Sequence, residues 1–117
     1  MFDFEKLIAY KKARETYQVI QNKIPFYKLT PIIRDQLQRA LVSMVINIAE
    51  GTGKLSPNDR KNFYVIARGS TYECASLLDL IQDTSIVSIE QISYLKNSLE
   101  QVSRLLSVLI KELLLRK

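Results

Sequence analysis

One stretch of the sequence, TPIIRDQLQRALVSMVINIAEG at residues 30–51, constrains the fold more than any other. Thr30 can accept hydrogen bonds from the first free amides of a helix, Pro31 suits the first helical position, and Gly51 can end the helix in a left-handed conformation. Between these signals, apolar residues fill most faces. We therefore predict a helix over residues 31–50 that is buried on several sides.

A narrow polar stripe interrupts this apolar helix. Its members recur at intervals of three or four and project from one side; they are Gln36, Arg39, Ser43, Asn47 and Glu50. Ser43 and Asn47 can donate and accept hydrogen bonds, and an ionised Glu50 accepts them. The stripe is interpreted as a buried network that fixes the register of the helices, and the alternative is a ligand site.

The first and third helices follow from periodicity and from stop and start signals. Apolar residues at a spacing of three and four predict a helix over about residues 4–22, which ends because Pro25 forces the residue before it away from helical angles. The third helix is predicted over residues 57–82, with Ser56 as its cap. Small residues on its apolar seam favour the close approach of a neighbouring helix.

The fourth helix is predicted over residues 89–115. Ser88 followed by Gln91 is typical of a capping box, and an apolar seam of the heptad type runs over residues 92–113. We therefore expect an all-α protein with one domain over residues 1–117, folded as an antiparallel up-down four-helix bundle.

Surplus apolar surface near the end of the fourth helix predicts self-association. Leu105, Val108 and Leu115 lie beside the heptad seam, and packing inside one subunit does not require them. Apolar residues in excess of a core mark contacts with another protein, so we expect these three at the interface of a homo-oligomer.

Composition narrows the possible functions. The chain has no histidine, which removes the commonest general base and the usual zinc or haem ligand, so no catalytic residue, metal or cofactor is expected. The single Cys74 excludes an internal disulfide, and its place on a small-residue seam predicts a buried, inert thiol in preference to a nucleophile. With no leader and no apolar run of about 18 residues, a cytoplasmic protein that does not span a membrane is expected.

Charge points weakly towards acidic partners. Lys and Arg number 17 against 12 Asp and Glu, which gives a net charge of +5. Residues 1–60 hold ten bases and six acids, so this half carries 10 − 6 = +4 of that charge. RNA or DNA is a partner to consider, although a balance of this size also serves solubility.

Two sets of residues are candidates for contact with nucleic acid. The first is a basic group on the first helix, consisting of Lys11, Lys12 and Arg14; the alternative is a solvated helix face. The second alternates aromatic rings with cations on the third helix, at Lys61, Tyr64, Arg68 and Tyr72. Such rings can stack on unpaired bases while the cations meet phosphates, and the alternative is a subunit interface.

In this order, the segments LIAYKKA, QLQRALVSMVINIAEG and ARGSTYE closely resemble the bacterial four-helix bundle proteins, also called the large-ribosomal-RNA intervening-sequence protein family. The most specific matches are Gln36, Arg39, Ala40, Ser43, Asn47, Ile48, Ala49, Glu50 and Gly51, supported by Ala67, Gly69, Ser70 and Glu73. The resemblance implies a four-helix subunit, often assembled into a ring of five. It also implies a gene that, in some bacteria, lies within ribosomal RNA genes.

A related branch of this family consists of the accessory proteins of diversity-generating retroelements, which resemble basic barrels of five subunits that bind a reverse transcriptase and nucleic acid. This chain departs from the family pattern at two positions. Gln38 stands where a second basic residue is usual, and Val45 stands where a proline is usual.

Three hypotheses of function follow. The first is a non-enzymatic oligomeric scaffold, by resemblance a pentamer, that binds RNA or DNA modestly and without sequence preference. The second is an accessory subunit that docks on a retroelement reverse transcriptase, and the third is an enzyme of unrecognised mechanism. The third is the least favoured, because the sequence contains no enzyme signature. The first is preferred to the second, and the gene neighbourhood would separate these two.

Overall fold

Four long helices make up the fold in a computed structural model that describes residues 1–116. They are α1 (Ile8–Lys23), α2 (Pro31–Thr52), α3 (Pro57–Asp83) and α4 (Ile89–Leu114), with 3₁₀ turns at Asp3–Lys6 and Phe26–Lys28. No strand occurs in this part of the chain, so the predicted all-α class is confirmed. Lys117, the last residue of the predicted domain, lies outside the described residues.

Side-chain caps begin three of the four helices. The Ser56 hydroxyl accepts a hydrogen bond from the Asp59 amide at 3.1 Å, and the Ser88 hydroxyl accepts one from the Gln91 amide at 3.1 Å. Thr30 caps α2 in the same way, through a longer contact of 3.5 Å to the Ile33 amide. Each bond satisfies an amide that the first turn of a helix leaves without a partner. The predicted starts of α2, α3 and α4 are therefore confirmed.

The first helix begins later than predicted. Leu7 is extended, with φ −74° and ψ 127°, so residues 3–6 form a separate 3₁₀ turn and α1 starts at Ile8 instead of residue 4. The turn brings the ring of Phe4 edge-on to Tyr10, with centroids 4.8 Å apart. Phe4 therefore folds back on α1 and does not extend it. At the other end, Ile24 is extended before the proline, as predicted.

Gly51 does not end the second helix, and that prediction is wrong. α2 continues through Thr52, and none of the glycines has a positive φ. A Cβ atom on Gly51 would lie 2.9 Å from Cε1 of Tyr64 and 3.0 Å from Cβ of Phe63. The absence of a side chain at Gly51 therefore allows α3 to approach closely, and the glycine is not used for a left-handed turn.

The helices pack in the cyclic order α1, α2, α3, α4, so that α1 and α3 occupy diagonal corners, as do α2 and α4. Short connections reverse the chain between consecutive helices, which gives an elongated bundle of 47 × 23 × 21 Å. The predicted seam of α4 forms much of the core: Ile92, Leu95, Leu99, Val102 and Leu106 are each at most 1% exposed. Within residues 1–116, none of the helices is long and apolar enough to cross a membrane.

Candidate functional site

The inner part of the polar stripe is a hydrogen-bond chain between α2 and α3. Asn47 Nδ2 donates to the carbonyl oxygen and to Oγ of Ser43, at 2.9 and 3.0 Å. The Ser43 and Ser70 hydroxyl oxygens lie 2.7 Å apart, and Ser70 donates its own proton to the carbonyl oxygen of Ile66 at 3.1 Å. Ser43 must therefore be the donor to Ser70, and the chain runs in one direction from Asn47 to Ile66.

The outer part of the stripe is surface. Gln36, Arg39 and Glu50 are all exposed, and none of the three makes a side-chain hydrogen bond to another described residue. The interpretation of the stripe as a buried network is therefore wrong at Gln36, Arg39 and Glu50. A carboxylate keeps its hydration at this exposed end of α2, which avoids the penalty of burying a charge. Of the five stripe residues, only Ser43 and Asn47 take part in the hydrogen-bond network. Ser70 of α3 completes it, because its hydroxyl bonds to that of Ser43.

Beside the stripe, α2 exposes two apolar side chains. Val42 is 46% exposed and Ile46 is 47% exposed. They stand four residues apart between two shallow depressions. One depression includes Tyr10, Arg14 and Tyr17 of α1, and the other is lined by all of the polar stripe except Gln36. The prediction that α2 is buried on several sides thus holds for its core residues and fails for this face.

An amide pair joins α1 to α2 next to this face. Gln21 Nε2 donates to Gln38 Oε1 at 2.5 Å, and Gln38 Nε2 donates to Gln21 Oε1 at 3.1 Å. Gln38 is the position at which the resemblance leads one to expect a second basic residue. A lysine or arginine has no acceptor for such a reciprocal pair, so the departure has a structural role here.

The basic residues of α1 differ in their availability. Lys11 and Arg14 are exposed, whereas Lys12 is half-buried and its ammonium lies 3.1 Å from a carboxylate oxygen of Glu15. Arg14 stands beside the depression next to Val42. Because α1 and α3 occupy diagonal corners, the two predicted nucleic-acid sets do not share one surface of the subunit.

Tyr64 cannot stack on a base, and its prediction as a nucleic-acid residue is wrong. It is 3% exposed, and its hydroxyl lies 2.7 Å from that of Thr52 on α2. A four-residue step turns about 400° around a helix, so Tyr64 and Tyr72, two such steps apart, differ by about 80°. That rotation places Tyr64 in the core and Tyr72 at the surface.

Arg68 and Tyr72 form an accessible pair that is tied to α4. Arg68 Nε donates to Oγ of Ser107 and Nη2 donates to the Tyr72 hydroxyl, both at 2.9 Å. The guanidinium carbon lies 4.7 Å from the centroid of the Tyr72 ring, which is a cation–π contact. Lys61, two turns earlier in the predicted set, is half-buried.

The thiol of Cys74 is fully buried, as predicted. Burial raises the pKa of Cys74 to about 12, and the charge of Glu73 adds to the shift. A thiol with such a pKa stays protonated at neutral pH and is a poor nucleophile. Among residues 1–116, no group of three or more His, Cys, Asp and Glu residues is placed to hold a metal ion.

Of the predicted interface residues, Val108 and Leu115 are exposed and Leu105 is half-buried. The sequence pattern misses Val42 and Ile46 as surface residues, because it predicts that they are buried. Their four-residue spacing beside a polar stripe is the signal that marks them as a face of their own.

Comparisons with known proteins agree with this architecture. A sequence model of the 23S rRNA-intervening sequence protein family matches residues 5–108. Among solved structures, the chain is similar to a protein of unknown function from the S23 ribosomal protein family of Bacteroides thetaiotaomicron. The TM-score is 0.76 at 24% identity, and the match covers 89% of this chain and 99% of the other. None of the curated proteins compared with the chain matches it.

Proposed function

Because the chain belongs to the 23S rRNA-intervening sequence protein family, we propose that it is a non-enzymatic homo-oligomer that binds nucleic acid through phosphate contacts. One observation carries the proposal. The exposed apolar pair Val42 and Ile46 is bordered by Arg14 and Arg39, neither of which has a carboxylate within 4.0 Å among the described residues. An apolar pair suits burial against protein, and unpaired cations suit phosphate.

The arrangement of apolar surface favours a ring. One exposed apolar surface lies on α2 at Val42 and Ile46, and a second lies near the end of α4 at Val108 and Leu115. α2 and α4 occupy diagonal corners of the bundle. A cyclic assembly joins two different surfaces of the same chain, whereas a two-fold dimer needs only one self-complementary surface. We propose five subunits, the number that the family resemblance implies.

Assembly would strengthen a weak electrostatic signal. Each subunit carries +5, so that five subunits sum to 5 × 5 = +25. Cations repeated around a ring raise the local potential more than scattered ones do. Within one subunit, the candidate cations lie on separate helices. Lys11 and Arg14 are exposed on α1, whereas Lys61 and Arg68 are half-buried on α3. The proposal therefore requires that binding depends on assembly.

The oligomer is tested first, by native mass spectrometry of the wild type and of Ile46→Asp. We expect a pentamer for the wild type and a smaller species for the variant, because a carboxylate would be buried against protein. Ile89→Asp is the matched control, since Ile89 is also an exposed isoleucine but lies at the start of α4. A wild-type protein that is monomeric at micromolar concentration contradicts the proposal.

Nucleic-acid binding is tested by fluorescence anisotropy with labelled RNA, DNA and duplex probes over a salt series. The name of the neighbour's family refers to the ribosome, so fragments of ribosomal RNA are the first probes. We expect affinity to fall steeply with salt, because each neutralised phosphate releases counterions. Lys11→Glu/Arg14→Glu should weaken binding and reduce the salt slope. Arg104→Glu is the control, since Arg104 already pairs with Glu100. Absence of binding at low salt would contradict the nucleic-acid part of the proposal and leave only the oligomeric scaffold.

A further inference from the structure

A small depression lies between α3 and α4, towards the end of α4. Its volume is about 230 Å³, and its lining consists of Val65, Arg68, Ser107, Ile110, Lys111 and Leu114. We call it the α3–α4 pocket. Its lining is two cations, one hydroxyl and three aliphatic side chains, with no acidic residue.

Arg68 is held in place at this pocket. Its bonds to Ser107 and Tyr72 use two of the five N–H groups of the guanidinium. The remaining three, two of them on Nη1, have no partner among the described residues. A guanidinium that is already fixed loses little side-chain entropy when it binds an anion.

The charges of the pocket have no counter-ion among the described residues. Neither Arg68 nor Lys111 has a carboxylate oxygen within 4.0 Å among residues 1–116, where the ion pairs join other residues. The depression between α1 and α2 also contains an arginine, Arg14, but no hydrogen bond to a described residue fixes that side chain. The α3–α4 pocket is thus the better prepared of the two for an anion.

The apolar part of the pocket selects among anions. Val65 and Leu114 are each 50% exposed, and Ile110 is half-buried. A bare phosphate, or a phosphate of a nucleic-acid backbone, would meet the cations but leave these side chains in water. An aliphatic group attached to the anion would cover them and gain the free energy of burying apolar surface.

We infer that the α3–α4 pocket binds the C-terminal residue of a peptide chain of another protein that ends in leucine or a similar branched residue. The α-carboxylate lies against Arg68 and Lys111, and the side chain covers Val65, Ile110 and Leu114. A planar carboxylate accepts two parallel bonds from one edge of a guanidinium. A pocket of about 230 Å³ is below the usual range for whole small-molecule sites and fits one residue-sized group. This inference does not rest on the proposed nucleic-acid function.

The probe is the acetylated tripeptide Ala-Ala-Leu with a free carboxylate, titrated into labelled full-length protein and followed by NMR. We expect shifts of the backbone amides at residues 65–68 and 107–114. The same tripeptide with an amidated C-terminus lacks the charge, and inorganic phosphate lacks the apolar group. Each should bind about tenfold more weakly or worse. If the amide binds as tightly as the acid, or phosphate binds as tightly as the tripeptide, the inference is wrong.

Two substitutions test the placement of the ligand. Arg68→Gln and Val65→Asp should each weaken binding of the tripeptide by about tenfold or more. Arg68→Gln removes a charged hydrogen bond, and Val65→Asp introduces a carboxylate that repels the carboxylate of the ligand. The matched controls are Arg104→Gln and Leu80→Asp; Leu80 lies on the same helix as Val65 and is 49% exposed. The controls should change affinity by less than about twofold, because they lie outside the pocket.

The two pocket substitutions are independent of each other. Should Arg68→Gln unfold the protein, Val65→Asp still decides, because Val65 is a surface residue without a polar partner to lose. Unchanged affinity in Val65→Asp, or equal losses in Leu80→Asp, would overturn the inference. Neither result bears on nucleic-acid binding, which is tested at Lys11 and Arg14.

Discussion

The central helix α2 packs in two different ways on its two neighbours. Against α3, the small residues Gly51, Ser43 and Ser70 allow direct contact, and hydroxyl groups bond across the interface. Against α1, large side chains such as Tyr10 and Tyr17 line a depression of about 290 Å³. The same helix is thus tightly packed on one side and loosely packed on the other.

The difference shows that apolar content alone does not decide which face of α2 is buried. Val42 and Ile46 are as apolar as the core residues of α2, yet each remains about half exposed on the α1 side. Close packing needs small side chains that admit a neighbouring backbone, and the α3 side has them. The open side is where another molecule can be accommodated.

The largest effect at neutral pH is expected where the packing is tightest. Gly51→Ala should lower the free energy of unfolding by about 1–3 kcal/mol, because the added Cβ meets the ring of Tyr64 at 2.9 Å. That ring is not free to move, since its hydroxyl is bonded to Thr52. Urea denaturation followed by circular dichroism measures the change.

Gly69→Ala is the matched control, because among residues 1–116 the Cβ it would add meets no atom within 4 Å beyond its chain neighbours and the backbone of its own helix. Alanine is the better helix former, so this variant should gain about 0.5–1 kcal/mol. A gain of stability in both variants would show that the α2–α3 side is not close-packed at Gly51.

The second prediction concerns Cys74, which lies one turn after Ser70 on α3. Burial raises its pKa to about 12 in the folded protein, so the folded state retains the thiol proton at pH values where the unfolded chain has lost it. The folded state then binds more protons, and stability must fall as pH rises. From the ordinary pKa of about 9 up to about 12, this thiol contributes a loss of about 1.4 kcal/mol per pH unit.

Urea denaturation at about pH 8, about pH 9 and about pH 10.5 of the wild type and of Cys74→Ala separates this contribution from that of the other titrating groups. The two proteins share every other ionisable residue, so the difference between their pH slopes belongs to the thiol. Equal slopes above about pH 9 would mean that water reaches Cys74.

The helix starts and the core seam of α4 were predictable because both depend on local sequence. A cap needs only a hydroxyl three residues before a free amide, as at Ser56 and Ser88. A seam needs only a repeated spacing of apolar residues. Neither signal requires knowledge of a distant partner.

The errors have the opposite origin. Gly51 looks like a helix stop until Tyr64 is known to pack on it, and Tyr64 looks like a surface ring until the rotation of α3 is known. The hydrogen-bond network of the stripe depends on Ser70, which is 27 residues from Ser43. Contacts of this kind follow from how helices meet, and a single sequence does not specify that.

A smaller effect is expected from Asn47→Leu, which removes the donor to the Ser43 hydroxyl and carbonyl. Because Asn47 is accessible at the edge of the network and water can replace part of the lost bonding, the loss should be about 1 kcal/mol. Gln36→Leu makes the same kind of change on the exposed part of the stripe and should stay within about 0.5 kcal/mol. Similar losses in both would place the whole stripe in one environment.

The smallest effect belongs to the loosely packed side. Gln38→Ala breaks the amide pair with Gln21, but Gln21 is only half-buried and can turn to water. Alanine also favours the helix, so the net loss should be about 0.5 kcal/mol. A double-mutant cycle of Gln21→Ala and Gln38→Ala measures the coupling energy of the amide pair. A second cycle, of Ser43→Ala and Ser70→Ala, measures the coupling energy of the hydroxyl bond between α2 and α3. The coupling energy of the Ser43–Ser70 bond should be larger than that of the amide pair. Ser70 is buried, so its replacement leaves the Ser43 hydroxyl without a partner where water has less access. If the amide pair proves the stronger of the two, hydrogen bonds hold α1 to α2 as firmly as close packing holds α3, and the two sides differ in shape but not in strength.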